Sequence, residues 1–524
     1  MATQDGIVVI GAGIGGLVCA ALLATRGIAV TVVEAAAAPG GKMREVAVGA
    51  GADGVVIDGG PTVFTMRSVF DDIFECCGES LDRAIALRPA TILARHAWGD
   101  DRLDLFADPA ASEAAIGDLA GAREAAGYRA FRTEAQRIFR TLEQPFLRAP
   151  RTNPIGLTWR MGWRGFADLN QIRPYETLWR ALGDHFHDPR LRQLFGRYAT
   201  YCGSSPFQCP ATLMLIAHVE ASGVWLIDGG MHRLAGAIEA LALRAGATFR
   251  YAAPVAEILV EQGRAAGVVL ASGERIAADA VVCNADPAAL CAGAFGGAVR
   301  RAVPAMPPVR RSMSAMVWCA QGTAAGFPLV RHNVFFSRDS RTEFDALAGG
   351  RIPQDPSVYV CAQDRGADGA PSPSGSERFQ IIVNAPPTGD THPLTQAETD
   401  LCTQSMHATL SRAGLTLDLP AQATVLTTPT GFATLFPRTG GALYGPVSHG
   451  WAASFRRPGS RTRIPGLYCA GGSTHPGAGV PMAALSARLA VDSLLRDRAS
   501  MARSSPAAMP GGMSTRSART VASA

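Results

Sequence analysis

Lysine is almost missing from this 524-residue chain: of its 49 basic residues, 48 are arginine and Lys42 alone is lysine. A GC-rich coding sequence is sufficient reason for the bias, yet any chemistry that needs a lysine must use Lys42. A strong excess of one charge is missing too. The formal net charge is +5 and dispersed, which argues against a nucleic-acid partner. No unbroken apolar run reaches the ~18–20 residues that would span a bilayer. Metal-ligand spacing is absent: Cys76 and Cys77 are adjacent, and Cys202 and Cys209 lie seven apart, so no metal is expected. The 11 cysteines are scattered, odd in number and mostly set in apolar runs, as at Cys19, Cys283 and Cys469. That usage points to free thiols in a reducing compartment. Met1 to Gly6 carries no basic segment and glycines interrupt the apolar run that follows, so no signal peptide is expected. The expectation is a cytoplasmic protein, peripheral on a membrane at most.

What is present is a large apolar content, 48% against 18% charged, in a chain long enough for roughly three domains. Residues 6–34 read as strand, tight turn, helix and strand. Ile7-Val8-Val9-Ile10 is the short apolar run of a buried parallel strand. Gly11-Ala12-Gly13-Ile14-Gly15-Gly16 follows, then a helix from Leu17 to Arg26 and a strand from Ala29 to Val33 closed by Glu34. This is a dinucleotide-binding fingerprint in full order. Gly11 permits the turn, Gly13 lets the backbone approach a pyrophosphate beside Gly15, and Gly16 lets helix and strand pack closely. The helix N-terminus offers free N–H groups to phosphate, and Glu34 is placed to accept hydrogen bonds from an adenosine ribose. A carboxylate there would repel a 2′-phosphate.

Two more glycine loops follow, Pro39-Gly40-Gly41-Lys42 and Asp58-Gly59-Gly60-Pro61-Thr62, the second after an apolar strand at 54–57. Proteins that wrap an extended FAD often use such loops at the flavin end. Lys42 reads as exposed, with either a solvated charge or a pyrophosphate contact as its role. Residues 86–224 change character. Amphipathic helices are predicted over 123–143, ended by Pro145, over 178–186, and from Pro189 to Tyr198. The segment Thr158 to Phe166 interleaves large rings with arginines and could lie at a membrane interface or pack as a buried helix pair. The sheet pattern returns at Ile227, with Asp228-Gly229-Gly230-Met231, a helix over 233–244, strands over 248–251 and 256–260, and further β-pattern at 267–271 and 275–283. His232 reads as helix-terminal packing. Residues 364–377 read as an exposed loop, and the Ser-, Ala-, Gly- and Met-rich tail 499–524 as disordered. The predicted division is a discontinuous FAD-binding domain (1–85, 225–290 and 456–498) and an inserted substrate and membrane-associating domain (86–224 and 291–455).

Near the C-terminus, Gly466-Leu467-Tyr468-Cys469-Ala470-Gly471-Gly472-Ser473-Thr474-His475-Pro476-Gly477-Ala478-Gly479-Val480 predicts a strand, a glycine-rich turn and a helix over about 482–495. A second helix N-terminus aimed into the site would stabilise negative charge on a reduced flavin. From Gly466 to Ser486 the chain resembles the bacterial-type carotenoid (phytoene) desaturase family of FAD enzymes, Cys469 being the one departure where an aliphatic residue is usual. The resemblance also takes in the N-terminal fingerprint, Asp58-Gly59-Gly60-Pro61, Gly229-Gly230-Met231 and Asn284-Ala285-Asp286. Tyr201-Cys202-Gly203-Ser204-Ser205-Pro206, Pro210-Ala211-Thr212 and Gly223-Val224-Trp225 look most like the 1-hydroxycarotenoid 3,4-desaturases (methoxyneurosporene dehydrogenases) of purple bacteria.

The resemblance implies an α/β fold: a Rossmann-like FAD-binding domain with an inserted mixed α+β substrate domain. It implies FAD as cofactor and a C40 carotenoid as substrate, taken from a cytoplasmic or intracytoplasmic membrane surface in a pathway of photosynthetic pigments. It further implies a C-3,4 double bond introduced into a 1-hydroxy or 1-methoxy carotenoid, with hydride passing to flavin N5. Gly471, Gly472, Gly479 and Val480 join Gly11, Gly13, Gly15, Gly16, Glu34, Gly41, Lys42, Gly59 and Gly60 as expected cofactor contacts, and Val255 is expected to flank the adenine. Related flavoproteins often carry an acid where Gly472 stands, which leaves no acidic group there for the ribityl or phosphate. Removing one hydride and one proton requires orientation, a dry channel and an electron sink rather than an activated nucleophile. The proton acceptor is unknown; His475 is the candidate in the signature turn. Alternatives are phytoene desaturation, another carotenoid isomerase or oxygenase of the same fold, and a non-catalytic flavin-bound carotenoid carrier. An amine oxidase that places a lysine near flavin N5 is disfavoured, because no lysine follows residue 42.

Overall fold

Every residue from Ile7 to Ile10 is buried, as a strand covered on both sheet faces must be. In the computed structural model, which describes residues 6–49, 54–162, 172–367 and 375–504, this strand lies at the middle of a five-stranded parallel sheet. The order is Leu467–Cys469, Ala280–Cys283, Gly6–Ile10, Ala29–Val33 and Thr248–Arg250, so three distant stretches of chain close one sheet. Helix Ile14–Ala24 has no exposed residue and packs on helices His232–Arg244 and Val480–Ser504. It is apolar all round because it is covered all round. Leu17, Leu23, Ile238 and Leu494 meet in the resulting core. A smaller antiparallel sheet flanks it, Val255–Glu261, Arg264–Leu270 and Arg275–Ala277. Its hairpin turns on Gln262 (φ 50°) and Gly263 (φ 76°), the two positive φ values a tight two-residue loop demands.

The second large sheet runs Thr416–Asp418, Ser314–Ala325, Glu377–Ala385, Val358–Ala362, His332–Phe335, Ile92–Trp98 and Asp101–Phe106, with Thr424–Thr427 also on Ser314–Ala325. Ile92–Trp98 pairs in parallel with His332–Phe335. Residues from before and after the middle nucleotide-binding segment therefore share one sheet. Helices Ala122–Leu142, Leu178–His185 and Pro189–Gly196 cluster beside it around Phe131, Phe186 and Phe195.

Several boundaries differ from the sequence expectation. The first helix starts at Ile14, three residues before Leu17, since glycines cost little in a buried first turn. Pro145 does end the α-helix at Leu142, but the chain continues as one wide turn, Glu143–Leu147. The 275–283 run divides into two strands. The C-terminal helix spans Val480–Ser504, so residues 499–504, expected to be disordered, are helical; the earlier turn at Asp497 is held by Arg461 and Tyr468 at 2.8 and 2.9 Å. The rest of the expected tail, 505–524, lies outside the described residues. So does 368–374 of the expected loop, whose base is clipped by Asp364–Arg378 (2.6 Å) and Arg365–Glu377 (2.7 Å), with Glu377 buried. Residues 163–171, which include part of the expected membrane segment, also lie outside them. Of that segment, helix Pro154–Met161 carries an exposed Trp159. Among the described residues, no helix is long and apolar enough to cross a membrane.

Candidate active site

The glycine turn is built by collision limits. A Cβ on Gly16 would stand 1.9 Å from the Gly11 carbonyl oxygen, so this glycine sets the approach of helix to strand. At Gly15 a Cβ would meet Asn284 Oδ1 at 2.4 Å and Gly471 Cα at 2.8 Å, and at Gly13 it would meet Asn284 Nδ2 at 2.8 Å. The turn is thus pressed between the N-terminal strand, the Asn284 loop and the C-terminal signature. Glu34 closes it from the other side: its carboxylate accepts from the N–H of Ala12 (2.6 Å) and of Ala36 (2.8 Å). Neither helix Ile14–Ala24 nor helix Val480–Ser504 has an acidic residue in its first turn. Both N-termini open on the same cavity, so their partial positive ends are left for an anionic guest.

No acid stands at Gly472, but one from another loop reaches its neighbour Ser473. Asp286 lines the cavity and accepts from Ser473 Oγ at 2.6 Å. The signature turn is fixed from within by Thr474, whose hydroxyl donates to the Gly471 carbonyl at 2.7 Å and pairs with Ser486 Oγ at 2.5 Å. Buried Arg457 donates to the carbonyls of Tyr444, Gly472 and Pro446 at 3.1, 3.2 and 2.7 Å. Burial holds its pKa below the usual arginine value, with Cys202 and Asp286 opposing. Lys42 is not the exposed loop charge that its sequence context suggested. It is half-buried, with Nζ donating to the Leu443 carbonyl at 2.6 Å and lying 5.3 Å from the Phe436 ring centroid. Burial lowers its pKa; Asp286 opposes the shift and Arg457 reinforces it. The Gly40-Gly41 loop on which it rides folds back into the protein, and no local pattern in the sequence reports that.

One continuous cavity of about 960 Å³ joins this end to a second, largely apolar end. Phe146, Leu147, Leu213, Ile216, Val334 and Phe336 line the latter. Two polar groups interrupt it: Arg197 with Tyr201 and Glu220, and Gln193 with Glu343 and Ser357. Burial raises the pKa of Glu220, against hydrogen bonds from Tyr198 and Tyr201 and the charge of Arg197.

Of the residues expected at the cofactor, Gly11, Gly13, Gly15, Glu34, Gly41, Lys42, Gly59, Gly60, Val255, Gly471, Gly472, Gly479 and Val480 all line this cavity. Gly16 does not; its place is in the packing behind the turn. His475 does not either. It is 1% exposed, and its Nε2–H points to the carbonyls of Phe146 (3.0 Å) and Ala149 (2.9 Å), clamping the signature turn to the 146–149 segment. Burial depresses its pKa to about 4, against the pull of those two carbonyls. His232 Nδ1 bonds the Met43 carbonyl at 3.0 Å, and Asp58 accepts from the N–H of Met231 (2.7 Å) and His232 (3.2 Å) at the start of that helix. Asn284, Asp286, Arg457, Arg197 and Glu220 were not among the expected residues. Among the described residues, no group of three or more His, Cys, Asp or Glu side chains could hold a metal ion.

The cavity fits an extended dinucleotide: two acid-free helix N-termini, glycines whose Cβ positions are already filled by protein, and the Glu34 carboxylate in the lining at the end of the second strand. A profile of the family "Flavin containing amine oxidoreductase" matches residues 14–313. A protein named hydroxyneurosporene desaturase from Rubrivivax gelatinosus is 51% identical over 517 residues, covering 98% of each chain. One of the same name from Cereibacter sphaeroides is 47% identical, covering 95% of this chain and 99% of its own. Among solved structures, an oxidoreductase from Methanosarcina mazei superimposes with a TM-score of 0.56 at 16% identity, covering 94% of this chain and 100% of its own. That likeness speaks for the fold.

Proposed function

We propose, for this chain, which belongs to the flavin-containing amine oxidoreductase family and within it to the carotenoid desaturases, the FAD-dependent introduction of a C-3,4 double bond into a 1-hydroxy or 1-methoxy carotenoid. It is an FAD oxidoreductase. The observation that carries the substrate reading is near full-length similarity to two proteins named hydroxyneurosporene desaturase.

The first helix N-terminus with Gly11, Gly13 and Gly15 would hold the pyrophosphate, Glu34 the adenosine ribose and Val255 the adenine. Gly41, Lys42, Gly59 and Gly60 would line the flavin side, opposite Gly471, Gly472, Gly479 and Val480. What bound FAD supplies is a two-electron acceptor for the hydride that leaves carbon. The protein's share is orientation and dryness. The apolar wall at Leu213, Ile216, Val334 and Phe336 removes water from the polyene and limits its approach to one direction. Discontinuous FAD-binding and substrate domains, in the ranges predicted above, agree with a cavity whose two ends are lined by different stretches of chain. A carotenoid is lipid-soluble, so the enzyme would work peripherally on the cytoplasmic or intracytoplasmic membrane; exposed Ile155 and Trp159 support that placement.

The test is spectroscopic. Incubation of the FAD-loaded enzyme with 1-hydroxyneurosporene should shift the carotenoid absorption maximum to the red and, without oxygen, bleach the flavin. A red shift with phytoene and none with 1-hydroxyneurosporene would overturn the reading.

A further inference from the structure

The two polar groups in the apolar part of the cavity differ in what the protein leaves unmet. Glu343 is saturated: Ser337 Oγ and Ser357 Oγ donate to Oε2 at 2.7 Å each, and the Ser357 N–H donates to Oε1 at 3.1 Å. Gln193 beside it accepts from Trp98 Nε1 and donates to the Ser337 carbonyl, both at 2.9 Å. That group is closed on itself.

Arg197 is not. A guanidinium carries five N–H donors, and among the described residues this one makes a single hydrogen bond, Nη1 to Tyr201 Oη at 3.4 Å. It lies 5.3 Å from the ring centroid of Tyr201 and 5.8 Å from that of Tyr359, in the cavity wall. Burial works against its charge, yet Tyr201 and Glu220 together hold its pKa above the ordinary arginine value. Glu220 accepts from Tyr198 and from Tyr201, the latter at 3.1 Å, and is itself part of the wall. Tyr359 Oη bonds Thr62 Oγ1 at 2.6 Å and His332 Nδ1 at 2.8 Å. Thr62 follows Gly59-Gly60-Pro61. The open donors of Arg197 are therefore one side chain removed from the loop at the flavin end of the cavity.

We propose that Arg197 reads the oxygen on C-1 of the carotenoid: the alcohol accepts from the guanidinium and turns its own proton toward Glu220. The inference rests on the proposed 1-hydroxycarotenoid desaturation and deepens it. The C-1 oxygen is three bonds from C-3, so when C-3 and C-4 reach the flavin end the oxygen must lie against the wall nearby. A 1-methoxy ether still accepts from the guanidinium. A polyene is nearly uniform along its length, and an apolar tunnel alone sets its register weakly; one fixed polar contact at the end group sets it firmly. A substrate without the oxygen leaves a desolvated guanidinium unpaired, so the site rejects it rather than merely preferring the alcohol.

The test compares kcat/KM of the FAD-loaded enzyme for 1-hydroxyneurosporene and for neurosporene, in wild type, Arg197→Met, Arg197→Lys and Tyr201→Phe. The wild type is expected to favour the hydroxylated substrate by about 100-fold or more. Arg197→Met should reduce that ratio about tenfold or more, chiefly through KM of the hydroxylated substrate, and Arg197→Lys should restore part of it. A wild type inactive on 1-hydroxyneurosporene overturns the desaturase reading itself, whereas one that is active on both substrates without preference overturns this inference alone. A wild type with the preference and an Arg197→Met enzyme that keeps it overturns this inference alone. Should Arg197→Met not fold, Arg197→Lys and Tyr201→Phe decide: a ratio lowered below that of wild type supports the inference, and a wild-type ratio in both overturns it.

Discussion

Ser473 Oγ donates to Asp286 Oδ2 at 2.6 Å, tying the C-terminal glycine turn to the end of the Ala280–Cys283 strand across 187 residues of sequence. Asp286 also caps the short helix Pro287–Cys291 by accepting from the Ala288 N–H at 2.9 Å. One carboxylate thus fixes both loops that press on the N-terminal glycine turn.

Replacing Asp286 with Ala should loosen both loops. The lost cap alone costs about 1 kcal/mol, and the expected outcome is a lower melting temperature together with lower flavin content. Asp286→Asn, which can still cap, should lose less of each. The ratio of flavin to protein absorbance, with thermal melts at several FAD concentrations, measures this. Equal flavin content in wild type and Asp286→Ala would remove Asp286 from the site.

Two glycines in buried or partly buried helices should respond in opposite directions. Gly16→Ala places a Cβ 1.9 Å from a backbone oxygen, so strand or helix must move; overpacking of this kind costs about 1–3 kcal/mol. Gly236, inside helix His232–Arg244, has nothing among the described residues within 4 Å of its Cβ position and no positive φ. Gly236→Ala should therefore stabilise by about 0.4–1 kcal/mol through the unfolded chain. Denaturant titrations of both variants check the pair.

Which parts of this site can be read from the sequence follows from chain distance. The Gly11 turn, Glu34 and the Gly471–Gly479 run each carry their chemistry within a few tens of residues, and of their expected site residues all but Gly16 and His475 line the cavity. Asn284 and Asp286 act on loops nearly 200 or more residues away, so their motif was visible but its role was not. Arg197 and Glu220 had a fainter signal, single charges in otherwise apolar stretches, and only the fold brings them to one wall. Lys42 misled for the converse reason: a glycine-flanked lysine looks solvated, and the Leu443 carbonyl that takes its charge is 401 residues away.

Acid should destabilise the fold through its buried histidines. His475 and His449 have folded pKa values near 4, and His96 and His332 near 3, each lowered from 6.5 first of all by burial. Because the folded values lie below the unfolded one, the unfolded chain binds more protons. The stability they contribute is full above about pH 6.5 and is lost as pH falls toward 4. For His475, whose Nδ1 has no hydrogen-bond partner among the described residues, the loss is on the order of 3 kcal/mol. Denaturation curves between about pH 7.5 and pH 5 should show the fall, and His475→Gln should flatten it by about one proton. An unchanged slope in that variant would contradict the assignment.

A lipid-soluble substrate would reach the cavity from a bilayer surface, and helix Pro154–Met161 is the expected docking face. Helix Pro154–Met161 buries Leu157 and exposes Ile155 (70%) and Trp159 (82%), four residues apart on one face. It is anchored to the segment before it, with Arg160 Nη1 donating to the Pro150 carbonyl at 2.7 Å. Phe146 and Leu147 of that segment line the cavity. An apolar face so exposed gains about 1.5–3 kcal/mol for each large side chain that enters the acyl boundary. The double variant Ile155→Ser, Trp159→Ser should therefore sediment with phosphatidylcholine vesicles at least about tenfold less well than wild type. Adding anionic lipid should strengthen wild-type binding if nearby arginines meet headgroups, and the gain should vanish at high salt. Equal sedimentation of variant and wild type on both vesicle types would move the docking face elsewhere on the molecule.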